Sequence, residues 1–254
     1  MFPIRDDNPT LHASVVTFLI IIVNVLVWIF VQGAGFGPNL LKSLCLYGLI
    51  PGELLGTVPP GTEINLGGGL AYVIESSHNW YSLISHMFMH GGWFHIIGNM
   101  WFLAIFGDNV EDSMGSIRFI FFYLLCGLAA AGTQMALDPQ SAIPMVGASG
   151  AIGGIMGAYI VLYPRAPVHM LVWLGFFVTR VIVPAYFMLG YWFLLQVLGI
   201  LLARGSKAGG VAVGAHVGGF IAGVVMIFFF RRMDRVREKR ATRVWRSWRS
   251  PRSR

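Results

Sequence analysis

Long apolar segments dominate this chain and restrict what it can fold into. They occupy residues 14–32, 92–106, 117–137, 145–163, 184–203 and 209–230. A helix needs about 20 such residues to cross a bilayer, and only the second segment is clearly shorter. Charged residues make up 11% of the 254-residue chain, against roughly 25% in soluble domains. The sequence therefore predicts an all-α membrane protein, a bundle of six transmembrane helices.

The distribution of Lys and Arg between the connections predicts the orientation of this bundle. With the N-terminus inside, the inner segments hold Arg5, Arg118, Arg165, Arg180 and a basic tail, and the outer ones hold only Lys42, Arg204 and Lys207. Both termini are therefore expected in the cytoplasm. Residues 168–183 are apolar but interrupted by Arg180 and followed by Pro184, so we interpret them as a loop on the membrane interface rather than a seventh span.

Three parts of the chain follow from this topology: a cytoplasmic N-terminus (1–13), the six-span domain (14–230) and the basic tail (231–254). The tail carries 11 of the 18 Lys and Arg residues and 2 of the 11 acidic residues. Such a tail could bind nucleic acid. Directly after a hydrophobic span, it is better explained by anionic lipid at the cytoplasmic surface, so no nucleic acid is expected. The oligomeric state is left open.

A glycine-rich stretch, GASGAIGG at residues 147–154, contains a single hydroxyl, that of Ser149. Small residues let membrane helices approach closely, so helix packing is the simplest explanation for Gly147, Gly150 and Gly153. The last apolar segment repeats the pattern around Gly219. The spacings predict a close crossing of these two helices.

Polar side chains in three different segments are expected at one depth in the membrane. The second, fourth and sixth segments all run from outside to inside, and near their starts they carry His95 and Asn99, Ser149, and His216. His95 and Asn99 are four residues apart and share a helix face. Each of the four could simply bond a neighbouring helix. Together they indicate function, because polar and ionisable groups inside a membrane are rare and usually functional.

A serine within reach of a histidine is the minimal activated nucleophile. No acidic residue lies in the outer half of a predicted span, so a dyad is expected rather than a triad. The Ser149 backbone N–H near a helix N-terminus, together with His95 and Asn99, could stabilise an oxyanion. The zinc motif HExxH is absent, and the two cysteines form no metal motif, so no metal or other cofactor is expected. A polytopic transporter and a catalytically inactive binding protein remain as alternatives.

These residues resemble the motifs of the rhomboid intramembrane serine proteases. GASG around Ser149 is similar to the nucleophile motif GxSG of that family, and AHVGG around His216 to its catalytic-histidine motif. HGGWFHIIGN is similar to the second-span pattern, which implies that His95 and Asn99 stabilise the oxyanion. The resemblance implies a six-span rhomboid-type bundle that cuts single-span membrane proteins within or next to their transmembrane helix. A bacterial inner membrane is the expected location, with an organelle as the alternative, and the active site is expected to open to the outer face.

Further residues are carried over from the same resemblance. His90 in the second-span pattern and Glu111 in GDNVEDSMG, which resembles the loop after the second span, are implied to be structural. The sequence departs from the family at Gly153, where some relatives have an aromatic residue that stacks on the histidine. It also departs in HNWYSLISH, which lacks the Arg of the Trp-Arg pair that many members carry. The connection ARGSKAGG (203–210) is expected to act as part of a gate.

Overall fold

The computed structural model describes residues 2–67, 70–74, 79–175, 177–203 and 212–249, and the protein is mostly helical. In chain order the helices are α1 (Val15–Phe30), α2 (Pro38–Tyr47), α3 (Pro51–Leu54), α4 (Ser82–Ser85), α5 (Trp93–Met114), α6 (Ser116–Leu137), α7 (Ser149–Leu162), α8 (Ala185–Ala203), α9 (Val213–Phe230) and α10 (Met233–Arg249). The strands are β1 (Phe2–Asp6), β2 (Glu63–Gly67), β3 (Leu70–Val73), β4 (Pro167–Leu174) and β5 (Phe177–Pro184).

Each of the six predicted segments overlaps one of the longer helices. Within the described residues, three helices are long and apolar enough to cross a membrane: Ser116–Leu137, Ala185–Leu202 and Val213–Phe230. Val15–Phe30 and Ser149–Leu162 are shorter apolar helices. The remaining segment corresponds to α5, which has 22 residues but carries three acidic side chains in its second half. The protein is thus a helical membrane protein, and the count of six spans stays a prediction.

Two helix boundaries differ from the expected ones. The sequence GDNVEDSM, predicted as a loop, forms the last turns of α5. The helix ends at Met114, and the next residue, Gly115, has a positive φ of 85°. The acidic side chains of GDNVEDSM are tolerated in the helix because other groups of the protein bond to them. Helix α7 begins at Ser149 rather than a full turn earlier. Gly147 has a φ of 120°, which no helix accommodates, so the helix cannot extend further back.

A β-hairpin replaces the loop predicted at residues 168–183. Strands β4 and β5 pair antiparallel, and β1 pairs with β4, which gives a three-stranded sheet in the order β1-β4-β5. This segment is rich in Val, Ile and aromatic residues, which favour strands. Strands β2 and β3, which lie between α3 and α4 in the chain, form a second, two-stranded sheet. The fold is therefore not all-α as predicted, although helices form its bulk.

Both terminal regions pack against one end of the bundle. Strand β1 places Asp6 against the hydroxyl of Tyr159 on α7. From α10, the Lys239 ammonium group lies 3.0 Å from the Asp112 carboxylate of α5, and Lys239 is only 5% exposed. Burial raises the pKa of the Asp6 carboxyl to about 7. The described residues of the N-terminal region, 2–13, and α10 are thus packed parts of the fold.

Helices α7 and α9 touch backbone to backbone, which brings their N-terminal ends together. A Cβ atom added at Gly219 would fall on the carbonyl oxygen of Gly150, and one added at Gly223 on that of Gly154. A Cβ atom at Gly157 would overlap the carbonyl oxygen of Phe220. Only glycine permits so close an approach. The GxxxG spacings in the two segments predict this crossing correctly.

Replacing Gly219 with alanine should therefore destabilise the bundle. The added methyl group cannot be accommodated unless α7 and α9 separate, and overpacking of this kind costs about 1–3 kcal/mol. Gly190→Ala on α8 is the matched control, because nothing lies within 4 Å of the Cβ position there. Thermal unfolding in detergent should show a lower melting temperature for Gly219→Ala and no decrease for Gly190→Ala. Equal melting temperatures for both variants would contradict the crossing.

Candidate active site

Ser149 and His216 lie within hydrogen-bond distance of each other. Ser149 is the first residue of α7, and His216 lies in the first turn of α9. The Ser149 Oγ atom is 2.8 Å from Nε2 of His216. The close crossing of the two helices produces this short distance, because Gly150, next to Ser149, faces Gly219, three residues after His216.

Gly147 closes the site on the other side of Ser149. A Cβ atom at this position would lie 2.6 Å from Nε2 of His95 and 3.5 Å from Oγ of Ser149. The positive φ of Gly147 also disfavours any other residue. Its backbone N–H donates to the carbonyl oxygen of His86 at 2.9 Å, which fixes the turn. Gly147 thus lets the His95 imidazole approach the backbone just before the serine.

His95 and Asn99 lie on one face of α5 and line the same cavity as Ser149. The Gly91 N–H donates to Nδ1 of His95 at 3.2 Å, so the neutral imidazole carries its proton on Nε2, which faces Gly147. The Asn99 amide donates one N–H to the carbonyl oxygen of His95, at 3.0 Å. Its second N–H has no such bond within the described residues. Each residue therefore has one donor that could serve a bound ligand.

His90 and Glu111 lie apart from the serine. The side chain of Gln32 bonds both the N–H and the carbonyl group of His90, each at 2.8 Å. The His90 ring stands edge-on against the His95 ring, with centroids 5.2 Å apart. Glu111 accepts the backbone N–H groups of Val16 and Thr17 at 3.0 and 2.7 Å, so it caps the N-terminus of α1. These contacts link His90 to α1 through Gln32 and Glu111 to the start of α1, and the structural roles expected for both residues stay predictions.

Two residues of α8 that the sequence analysis missed contact His216. The Gln196 Oε1 atom is 2.8 Å from Nδ1 of His216. The Trp192 ring lies one turn earlier, with its centroid 5.8 Å from that of the imidazole and the planes inclined by 40°. At Gly153 a Cβ atom would lie 3.1 Å from the carbonyl oxygen of His216. The histidine is thus held from α8, and the signal that could have found this was a lone glutamine in an apolar segment.

The site opens into a cavity of about 660 Å³, lined by residues that include Ser149, His216, His95, Asn99 and Trp192. Among the described residues, no group of three or more His, Cys, Asp or Glu side chains could hold a metal ion. The predicted gate at 203–210 lies outside the described residues, apart from the last residue of α8. The arrangement offers a hydroxyl, an imidazole and several N–H donors around one space. This is the set of groups that acyl transfer requires.

The model of the rhomboid domain family matches residues 77–233, more than half of the chain. Rhomboid-like protein 5 of Arabidopsis thaliana is 35% identical over 107 residues, which are 42% of this chain and 34% of that protein. The chloroplastic rhomboid-like protein 11 of the same plant is 27% identical over 170 residues, 63% of this chain and 56% of that protein. The rhomboid protease GluP of Bacillus subtilis is 30% identical over 149 residues, 58% and 26% of the two chains.

The matches cover only part of each relative. The matched stretch spans 34%, 56% and 39% of the first three curated relatives. Ser149, His216, His95 and Asn99 all fall within the residues that the family model matches.

Proposed function

The chain belongs to the rhomboid family, and from this premise we propose that it is an intramembrane serine endopeptidase with Ser149 as nucleophile and His216 as general base. Some of its relatives are named as proteases, among them the Bacillus subtilis protein. The observation that carries the proposal is the 2.8 Å distance between Oγ of Ser149 and Nε2 of His216 at the wall of a large cavity. A serine is a weak nucleophile unless a base accepts its proton, and this geometry supplies the base.

Peptide cleavage would proceed in two stages. Ser149 Oγ attacks the peptide carbonyl carbon while His216 Nε2 takes the hydroxyl proton. The resulting oxyanion faces the backbone N–H at the start of α7, where N–H groups lack partners within the helix, and the free donors of His95 and Asn99. His216 then returns the proton to the leaving amine, which departs. Water then attacks the acyl group on Ser149 while His216 takes a proton from the water. His216 returns this proton to Ser149 Oγ as the carboxylic acid product leaves.

The proposed substrates are single-span membrane proteins, cut within or next to their helix. Peptide bonds inside a stable helix are shielded, so segments with helix-breaking residues should be preferred. The cavity provides the space for an extended segment and for the water that deacylation consumes. Purified protein in liposomes, incubated with model one-span substrates, tests the proposal. Cleavage products are expected with the natural chain, and their absence under all conditions would favour an inactive binding protein or a transporter.

We also propose six spans, with both termini in the cytoplasm, a bacterial inner membrane as location, and the site open to the outer face. The sheet pairing of β1 with β4 and the ion pair between Lys239 and Asp112 support one part of this proposal, that both termini lie on the same side, because they put both terminal regions at one end of the bundle. The remaining basic residues of the tail are proposed to face anionic lipid. Lys239 itself is excluded from that role by its burial.

Labelling of single introduced cysteines should reveal this orientation. Asp138→Cys, at the end of α6, should react with a membrane-impermeant maleimide in intact cells, whereas Arg5→Cys should react only after permeabilisation. Both positions are exposed, and the two native cysteines are buried, so background labelling should be low. A reporter fused after residue 254 should also register as cytoplasmic. Outside labelling of Arg5→Cys would overturn the orientation.

A further inference from the structure

We propose that Gln196 is a positioning residue that holds His216 in the tautomer its role requires. The proposal rests on the proposed function and extends it, because it supplies the third member of the site where no acid is present. The Gln196 carboxamide oxygen accepts a hydrogen bond from Nδ1–H of His216, so the lone pair on Nε2 faces the serine hydroxyl. Among the described residues, the two ring nitrogens of His216 bond only to Ser149 and Gln196.

The tautomer of a neutral imidazole depends on what each nitrogen faces. With Oε1 of Gln196 at 2.8 Å, Nδ1 must carry the proton, and Nε2 must accept from Ser149. If the amide were flipped, its NH₂ group would donate to Nδ1. Nε2 would then carry the proton and could not act as a base. Catalysis through His216 therefore depends on which way the Gln196 amide points.

The helix that carries Gln196 determines this orientation. The Nε2 atom of Gln196 lies 3.5 Å from the carbonyl oxygen of Trp192, one turn earlier in α8. A flipped amide would place two oxygen atoms against each other at that contact. The backbone of α8 thus favours the orientation in which Oε1 faces His216. No contact from α7 or α9 is needed for this choice.

Trp192 restrains the same imidazole from a second direction. Its ring lies 5.8 Å from the His216 ring and 6.2 Å from that of Phe220, centroid to centroid. Gly153, which faces the His216 carbonyl, offers no side chain for this purpose. Orientation of the base therefore comes from α8, and the site is complete only while α8 is packed against α9.

A neutral amide orients the histidine but adds no negative charge. Gln196→Leu keeps the approximate volume and removes the acceptor. It should lower kcat by roughly 10- to 100-fold, less than the ~10⁴ that a wrong tautomer costs in a triad with an acid. KM and melting temperature should stay unchanged. Gln196→Glu keeps an acceptor but makes it negatively charged. Turnover above neutral pH should therefore exceed that of Gln196→Leu. Because the negative charge favours protonation of His216, the acid limb of the pH profile should move to higher pH.

The experiment measures kcat, KM, the pH profile and the rate of fluorophosphonate labelling of Ser149 for both variants. Leu194→Ala, an exposed position on the same helix, is the control and should behave as the natural chain. Natural kinetics in Gln196→Leu, or an unmoved acid limb in Gln196→Glu, would overturn the proposal. If Gln196→Leu fails to fold, the pH profile of Gln196→Glu decides alone. Ser149→Ala separates the two levels: retained cleavage there would remove the proposed function, whereas its loss beside a normal Gln196→Leu would remove only the positioning role.

Discussion

Replacing Ser149 with alanine is expected to abolish peptide cleavage while leaving the melting temperature unchanged. The substitution deletes one oxygen atom, whose partner in the structure is the His216 imidazole. His216 keeps its bond to Gln196, and alanine suits the start of α7 as well as serine does for packing. Loss of the nucleophile in a serine protease lowers kcat by about 10⁶-fold. Cleavage of a one-span substrate should therefore fall below detection.

Ser141 provides a matched control for this prediction. Ser141 lines the same cavity, but its hydroxyl accepts the N–H of Ile143 at 3.3 Å, and no hydrogen bond joins it to a histidine in the described part of the chain. Ser141→Ala should cleave at the natural rate. A fluorophosphonate should label Ser149 and no other serine, which mass spectrometry of the labelled protein would reveal. Substantial cleavage by Ser149→Ala, or labelling of Ser141 instead, would contradict the assignment of the nucleophile.

Much of this site can be predicted from the sequence because helical geometry carries the information. The glycines that flank Ser149 and His216 predict a close crossing, and the crossing places the two residues opposite each other. His95 and Asn99 could be grouped because residues four apart share a face. Their donors could not be predicted, because these depend on tertiary contacts. Asn99 bonds its own helix, and His95 takes its proton state from the N–H of Gly91.

Polar residues that are paired within the fold are where structure departs from the pattern of the sequence. GDNVEDSM looks like a loop because it is acidic, but in the structure Glu111 caps α1 and Asp112 pairs with Lys239 from a helix 127 residues later. These partners stabilise the charges and let α5 continue. The three-stranded sheet could not be predicted for a related reason. The strand β1 that pairs with β4 comes from the N-terminus, and no local pattern predicts so distant a pairing.

Gln196 was missed because its role depends on the orientation of a side-chain amide. In the sequence it is a single polar residue in an apolar span, which interhelical bonding alone would explain. Only the distances to His216 and Trp192 distinguish a positioning role from a merely structural one. The absence of an aromatic residue at Gly153 indicated that the histidine is oriented in another way, but it did not indicate which helix is responsible.

His216→Ala should be essentially inactive, whereas His95→Ala and Asn99→Ala should be impaired but measurable. His216 is the proposed base, and without it the serine keeps its proton. The other two residues are proposed only to donate to the oxyanion, and loss of one such donor costs about 10²–10³ in rate, or about 3–4 kcal/mol. Rates in liposomes with one substrate, together with melting temperatures, give the comparison. If these three side chains only join helices, activity should instead fall in proportion to stability.

The pH profile separates the base from the donors more sharply than the rates do. Protonation of His216 removes the lone pair that faces Ser149, so the natural chain should lose activity on the acid side. Asn99→Ala should keep this acid limb in place, because an amide does not titrate. His95→Ala should also keep the acid limb. In the natural chain the N–H donor on Nε2 of His95 remains when that ring is protonated, so titration of His95 does not produce the limb. Disappearance of the limb in His95→Ala, or substantial activity in His216→Ala, would mean that the roles of the two histidines are exchanged.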